Sequence, residues 1–141
     1  MSEVILDTMT VSELRKEDRM DAAVKSWQNQ LRMDDAWLSV VSVMEIRIGY
    51  LRVLKRDPDF AKRLKRWLEA TVMPLFVDRM LDIDLGIAGV AAEMREIHGL
   101  SPNDSFIAAT AKIRGLTLAT RNVSDFAGTG IDLINPWDFG K

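Results

Sequence analysis

Short apolar runs alternate with amphipathic helical stretches along this chain, and that alternation constrains the fold more than any other feature. Residues 4–6, 37–41 and 117–120 indicate strands, because they are short and show no helical periodicity. Between them, apolar residues recur at helical spacing, for example over residues 19–33. Strands that alternate with helices are typical of parallel sheets covered on both faces. We therefore predict an α/β fold, a three-layer α/β/α domain with a short central parallel sheet.

Capping residues and stripe positions predict the remaining elements. Asp57, Asp84 and Ser101 each stand where a helix N-cap is expected, and a proline follows Asp57 and Ser101. Helices are expected at about 11–16, 19–33, 42–57, 58–72 and 84–99 and from 101 onward, with weaker strands at 80–83 and 132–134. The chain has 141 residues, the length of one domain, so we predict a single domain over residues 1–141.

The composition restricts the chemistry to carboxylates. The chain has no cysteine, which excludes disulfides, thiolate nucleophiles, zinc fingers and iron–sulfur ligation. It has one histidine, His98, which lies beside Gly99 and fits a helix C-terminus better than a ligand role. Any catalysis or metal binding must therefore depend on Asp and Glu.

Four acidic residues fall where this architecture directs loops and helix starts toward one crevice. In parallel α/β sheets the ligand crevice lies beyond the carboxyl ends of the strands. Asp7 follows the first strand, Glu45 lies in the first turn after the second, Asp104 begins the last predicted helix, and Asp125 follows the strand after it. Carboxylates gathered in one place repel each other unless a cation is present. An all-oxygen site suits Mg²⁺ or Mn²⁺, which can activate water against a phosphodiester.

Each of these acids also has a simpler interpretation. Ser42 and Glu45 have the spacing of a capping box, in which the carboxylate accepts from the Ser42 backbone N–H, and Asp104 with its preceding serine fits the same scheme. Asp125 is also compatible with ordinary turn chemistry. Asp7 differs, because Asp disfavours strands and gains nothing as a cap for a helix that starts several residues later. The functional hypothesis is therefore strongest at Asp7.

Charge gives a local rather than a global signal for nucleic acid. The net charge is −2, but residues 47–66 hold eight basic and two acidic residues, a local charge of +6. Such a segment can guide a phosphate backbone, although basic helical faces are more often simply solvated. Arg121 lies closer to the predicted crevice and is a candidate phosphate contact. The chain has no membrane-length apolar run, and residues 1–3 do not resemble the start of an export signal, so we expect a cytoplasmic protein with no membrane partner.

Five segments, in order, carry a more specific pattern. They are LDT with VSELRK at 6–16, SVVSVMEIRIG at 39–49, DSFIAATA at 104–111, TRNVSDF at 120–126 and NPW at 135–137. Together they resemble the PIN-domain toxins of the VapC/FitB-like kind, over about residues 4–137. The resemblance implies a PIN-like fold and a Mg²⁺- or Mn²⁺-dependent ribonuclease. It also implies that the protein is neutralised by an antitoxin, forms a homodimer, and meets DNA only indirectly through that antitoxin.

The same resemblance assigns roles to individual residues. Asp7, Glu45 and Asp104 are implied as the principal acids of the metal site and as catalytic residues, with Asp125 as the fourth. Thr8 is implied to shape the site, and Arg121 and Asn122 to border it, as possible substrate contacts. We therefore expect the four acids to share one ion cluster.

Met9 departs from the resemblance. The opening motif is usually Asp-Thr-Asn, and here a thioether replaces the amide. A lost hydrogen bond near a metal ligand commonly costs 10–100-fold in affinity or activity. The alternative hypothesis is therefore a catalytically weak PIN-like module retained for binding an antitoxin or another protein. Met9 also argues against a haloacid-dehalogenase-type phosphatase, which needs a second Asp there. A receiver domain is disfavoured because Thr8 and Arg121 stand where it needs an acid and a lysine.

Overall fold

The protein has one parallel sheet with β1 at its centre. The computed structural model describes residues 3–141, so Met1 and Ser2, which entered the prediction about an export signal, lie outside the described residues. The five strands are ordered β3-β2-β1-β4-β5, and every neighbouring pair is parallel. The strands are β1 (Val4–Leu6), β2 (Ala36–Ser39), β3 (Met80–Leu81), β4 (Thr117–Ala119) and β5 (Leu133–Ile134). The predicted parallel sheet is confirmed.

Seven α-helices connect or flank these strands within the described residues. They are α1 (Thr8–Leu14), α2 (Ala22–Gln30), α3 (Val40–Val53), α4 (Pro58–Trp67), α5 (Met73–Leu75), α6 (Leu85–Glu96) and α7 (Pro102–Arg114). The predicted caps Asp57, Asp84 and Ser101 each accept a hydrogen bond from a backbone N–H of the helix that follows. No helix in this part of the chain is long and apolar enough to cross a membrane.

Several predicted boundaries were wrong. The helix expected over 19–33 spans only Ala22–Gln30, and the strand expected over 37–41 spans Ala36–Ser39. Helix α1 begins at Thr8 rather than near residue 11, because Asp7 caps it directly. Helix α3 begins at Val40, and Ser39 rather than Ser42 is its N-cap. The helix expected over 58–72 is α-helical only to Trp67 and continues through a π-helical turn, Leu68–Val72. Such a turn adds a residue to the helical repeat.

The core lies on both faces of the sheet. Neighbouring residues of a strand point to opposite faces. Val4 and Leu6 accordingly join an apolar cluster with Trp27 of α2 and Ile46 of α3, among others. Ile5 joins a second cluster with residues of α6 and α7. Helices thus cover both faces, and the three-layer arrangement is confirmed.

The strand register brings the critical loops to one edge. Leu6 of β1 is paired with Leu38 of β2 on one side and with Ala119 of β4 on the other. The chain therefore leaves these three central strands at nearly the same height. The connection from β1 leads toward β2, whereas β4 lies on the opposite side of β1, so the point between β1 and β4 is where the topology diverges and a ligand crevice is expected.

Candidate functional site: an acidic crevice at the edge of the sheet

Asp7 is held in place at the end of β1. It is buried, with 8% of its surface exposed, and its Oδ1 accepts hydrogen bonds from the Thr10 backbone N–H at 2.9 Å and the Thr10 hydroxyl at 2.7 Å. Thr10 is fully buried, and its hydroxyl also lies 2.9 Å from the carbonyl oxygen of Ala119 in β4. The expectation that Asp7 has no capping role was wrong, because α1 starts one residue later than the aspartate. The cap occupies only Oδ1, and Oδ2 accepts no protein hydrogen bond within residues 3–141.

Glu45 is held by a side chain from another element. Its Oε1 lies 2.6 Å from the hydroxyl of Thr8, which in turn lies 2.9 Å from the hydroxyl of Ser42. The predicted capping box between Ser42 and Glu45 was therefore wrong. Ser42 lies inside α3, and Glu45 lies in the second turn of this helix rather than in the first turn as predicted; its carboxylate reaches across to α1 instead of back to its own helix start. A short bond to a carboxylate is among the stronger hydrogen bonds in proteins.

Asp104 is half-buried in the first turn of α7 and carries a perturbed carboxyl. The Ser101 hydroxyl accepts from the Asp104 backbone N–H at 3.4 Å, as an N-cap does. Burial is the main cause that raises the pKa of Asp104 above its usual 3.8; the Ser101 side chain lowers it in part, and the negative charges of Glu45, Asp7 and Asp125 each raise it by a smaller amount. The charges of the other three acids therefore reach Asp104 at this edge of the sheet.

Asp125 lies in the connection that follows β4. It belongs to a 3-10 turn, Val123–Phe126, and its backbone N–H donates to the Asn122 carbonyl at 3.0 Å. Its carboxylate is exposed and forms no hydrogen bond or ion pair with the described residues. The backbone maintains the turn, so the side chain of Asp125 takes no part in it. Its charge still raises the pKa of Asp104.

The donor chemistry fits a hard divalent cation, although the side chains do not already form a closed ligand set. Among residues 3–141, no three His, Cys, Asp or Glu side chains are close enough together to hold one metal ion, so the four acids do not form the single ion cluster expected from the sequence. The four acids nevertheless bring only oxygen donors and unneutralised negative charge to the crevice. Mg²⁺ keeps several of its waters and needs few direct protein ligands, so an open arrangement of this kind is compatible with it.

Arg121 and Asn122 lie where β4 ends. The Arg121 guanidinium lies over the ring of Trp137, 5.3 Å from its centroid, and the Arg121 carbonyl accepts from the Asn135 side chain at 3.4 Å. Arg121 forms no ion pair with any of the described acidic residues. The Asn122 backbone N–H donates to the buried Thr120 hydroxyl at 3.1 Å. A stacked arginine without a carboxylate partner remains available for a phosphate.

Sequence reasoning missed Thr10, Ser42 and Trp137. Thr10 stands three residues after Asp7 and Ser42 three before Glu45, spacings that bring side chains together only once the helix starts are known. The partners of Thr8 and Thr10 in the fold are 34, 37 and 109 residues away, beyond the reach of local patterns.

A parallel sheet in this strand order, with acidic residues gathered where the strands end, defines a PIN-like α/β domain. The family model of the PIN domain matches residues 4–130 of the chain. That span is most of the protein, and the chain therefore belongs to the PIN domain family.

Individual relatives agree with this assignment. The chain is 33% identical to Toxin FitB of Neisseria gonorrhoeae, over 95% of this chain and 98% of the relative. It is 34% identical to the VapC ribonuclease Y4jK of Sinorhizobium fredii, over 96% and 98%. Among solved structures, it is similar to FitAB bound to an IR36 DNA fragment, with a TM-score of 0.86 and 29% identity over 98% of both chains.

Proposed function

We propose that this chain is a metal-dependent endoribonuclease, the toxin of a toxin–antitoxin pair, which hydrolyses RNA phosphodiester bonds. One observation carries the proposal. Carboxylates from separate parts of the chain lie toward one edge of a PIN-domain sheet, at the end of β1, in α3, in α7 and after β4, and burial of Asp104, with the charges of the other three acids in addition, raises its pKa. Membership of the PIN family and similarity to a protein named as a VapC ribonuclease support RNA as the substrate.

Mg²⁺ or Mn²⁺ is the proposed cofactor, and Asp7, Glu45, Asp104 and Asp125 are the proposed residues that hold it. When bound, such an ion lowers the pKa of a coordinated water and neutralises charge on a phosphodiester. Asp7 and Glu45 each have one oxygen occupied by protein donors and the other oxygen available. Asp104 and Asp125 supply charge that no cationic side chain within residues 3–141 neutralises. The four acids therefore favour the binding of a cation at this site.

Arg121 is proposed to bind the RNA backbone. The face of Trp137 orients its guanidinium, so the long side chain has fewer conformations to lose when it binds RNA. A planar guanidinium can donate two parallel hydrogen bonds to a phosphate, which orients the backbone as well as attracting it. Asn122, next in the chain, and the basic segment 47–66 are additional candidate contacts for the same backbone.

The proposed partners are inferred from the similar proteins and not from a binding surface of this chain. FitAB was solved on a DNA fragment. We propose that this chain likewise binds an antitoxin, forms a homodimer, and contacts DNA only through the antitoxin, within the cytoplasm. An antitoxin reading frame immediately upstream of the gene would support the pairing.

A chelation experiment tests the enzymatic proposal. Purified protein should cleave RNA with Mn²⁺, lose the activity in excess EDTA and regain it when Mn²⁺ is restored. Asp104→Asn, purified identically, should be inactive. Glu96→Gln is the matched control, because Glu96 is an exposed acid at the end of α6, in none of the ion pairs found within residues 3–141. Cleavage that survives EDTA or the Asp104→Asn substitution contradicts the proposal.

The alternative function is a PIN-like module retained for protein binding, and Met9 is the observation that favours it. Purified protein that is inert on varied RNAs with Mn²⁺, yet binds its antitoxin tightly, would establish this alternative. Thr8 holds Glu45 and Thr10 holds Asp7, and the side chain of Met9, which lies between the two threonines in the chain, takes no part in these contacts. We therefore favour the enzyme.

A further inference from the structure

Ser42 is a buried polar residue that the helix around it does not explain. Its side chain is fully buried in the first turn of α3, yet Ser39 already caps that helix. Two buried hydroxyls of α7 bond to their own helix: Ser105 donates to the Pro102 carbonyl at 2.6 Å and Thr110 to the Phe106 carbonyl at 2.7 Å. The hydroxyl of Ser42 instead lies 2.9 Å from that of Thr8, its one side-chain partner within residues 3–141.

Counting hydrogens gives the direction of these bonds. The Thr8 hydroxyl has one hydrogen and two neighbours, the Glu45 carboxylate at 2.6 Å and the Ser42 hydroxyl at 2.9 Å. An ionised carboxylate only accepts, so the hydrogen of Thr8 goes to Glu45. The Thr8 oxygen then accepts the hydrogen of Ser42, which has no other acceptor among the described residues. The bonds form one directed chain, Ser42 to Thr8 to Glu45.

We propose that Ser42 is a positioning residue that orients the Glu45 carboxylate through the hydroxyl of Thr8. A hydroxyl that accepts a hydrogen bond becomes a better donor, so Ser42 strengthens the bond from Thr8 to Glu45. Ser42 also fixes the rotation of the Thr8 hydroxyl, which would otherwise be free to turn toward water. The carboxylate is thereby held by Oε1 alone. The expected effect of Ser42 on metal affinity rests on the proposed function, whereas its effect on the orientation of Glu45 does not depend on that function.

Metal affinity gives the first test, measured by titration of the full chain with Mn²⁺. Ser42→Ala should weaken Mn²⁺ binding about 10-fold, the lower end of what loss of an outer hydrogen bond costs. Thr8→Val should weaken it at least as much, and the double variant no more than Thr8→Val alone, because the relay is already broken. Thr110→Val is the matched control, since it removes a fully buried hydroxyl that serves only its own helix, and it should leave Mn²⁺ affinity unchanged. Unchanged affinity in Ser42→Ala, or losses that multiply in the double variant, would overturn the proposal.

Unfolding without metal gives the second test. In the presence of Thr8, the effects of Ser42→Ala and Glu45→Ala on the free energy of unfolding should be non-additive, and in a Thr8→Val background they should add. Additivity in both backgrounds would overturn the relay even if the protein binds Mn²⁺. If the wild-type chain binds no Mn²⁺, the proposed function fails, and this cycle still decides whether Ser42 acts on Glu45.

Discussion

The two halves of the acidic crevice are built differently. In one half, Asp7 and Glu45 each accept from a threonine hydroxyl of α1 through one carboxylate oxygen. In the other, no threonine hydroxyl among the described residues holds the carboxylates of Asp104 and Asp125, and burial, with the negative charges around Asp104 in addition, raises its pKa against a partial lowering by Ser101. We call these the held half and the free half.

The difference separates orientation from charge. The hydrogen bonds of the held half reduce the stability of the fold very little, because they also cap α1 and join it to α3 and to β4. The free half contributes uncompensated negative charge, which is unfavourable until a cation arrives. Functional sites commonly carry such a conflict between stability and activity. Substitutions in the held half should therefore reduce activity with little change in stability, whereas those in the free half should also change stability.

The largest expected effect is from Asp7→Asn in the held half. Asparagine caps helices about as well as aspartate, so α1 and the melting temperature should be retained. The free Oδ2, with its negative charge, is replaced by an amide nitrogen that cannot bind a cation. RNA cleavage should fall more than about 100-fold, beyond the range for outer contacts. A folded Asp7→Asn protein with normal cleavage would contradict the assignment of the held half.

Thr10→Val should have the next largest effect. Valine has nearly the shape of threonine, and the backbone N–H of residue 10 still donates to Asp7, so the change removes the hydroxyl, with its 2.7 Å bond to Asp7 and its 2.9 Å contact with the Ala119 carbonyl. Cleavage should fall about 10–100-fold. Thr110→Val is the control here as well, because it removes an equally buried hydroxyl remote from the acids. Equal activity losses in the two variants would show that general destabilisation, not the orientation of Asp7, is responsible.

Asp104→Asn, in the free half, should differ from the held-half variants because it should raise the stability of the fold. A carboxyl whose pKa is higher in the folded than in the unfolded chain destabilises the fold when it is ionised. Without divalent ions, the variant should therefore melt a few degrees higher than wild type at neutral pH. The difference should shrink as pH falls through the raised pKa and vanish below the usual 3.8. Thermal melts at several pH values check this, and a lower melting temperature for the variant at neutral pH would contradict it.

The layers and the location of Asp7 at the end of β1 could be predicted from the sequence because both depend on local signals. Apolar periodicity marks strands and helices, and in a parallel sheet every loop after a strand lies at the same edge. The division into a held and a free half could not be predicted. It depends on where α1 and α3 begin, and both starts were placed two or three residues too late.

Those errors have a physical cause. Thr8 and Thr10 are β-branched and favour helices weakly, so nothing in 8–10 signals a first turn. Their side chains stabilise the turn through partners in α3 and β4 that are distant in the chain. The same shift moved Ser42 from a helix cap into a helix interior, where its hydroxyl faces α1.

The smallest expected effect is from Met9→Asn, which restores the residue that the family resemblance leads one to expect. Met9 is 46% exposed, and the two threonines that flank it already hold Asp7 and Glu45. If those contacts are sufficient to orient the held half, cleavage with Mn²⁺ should change by less than about 3-fold, well below the 10–100-fold cost of a missing outer contact. Met9→Gln is the control for adding an amide of different length. A gain of more than about 10-fold specific to asparagine would mean that the held half lacks a third contact, and that the wild-type protein is closer to the weakly catalytic module.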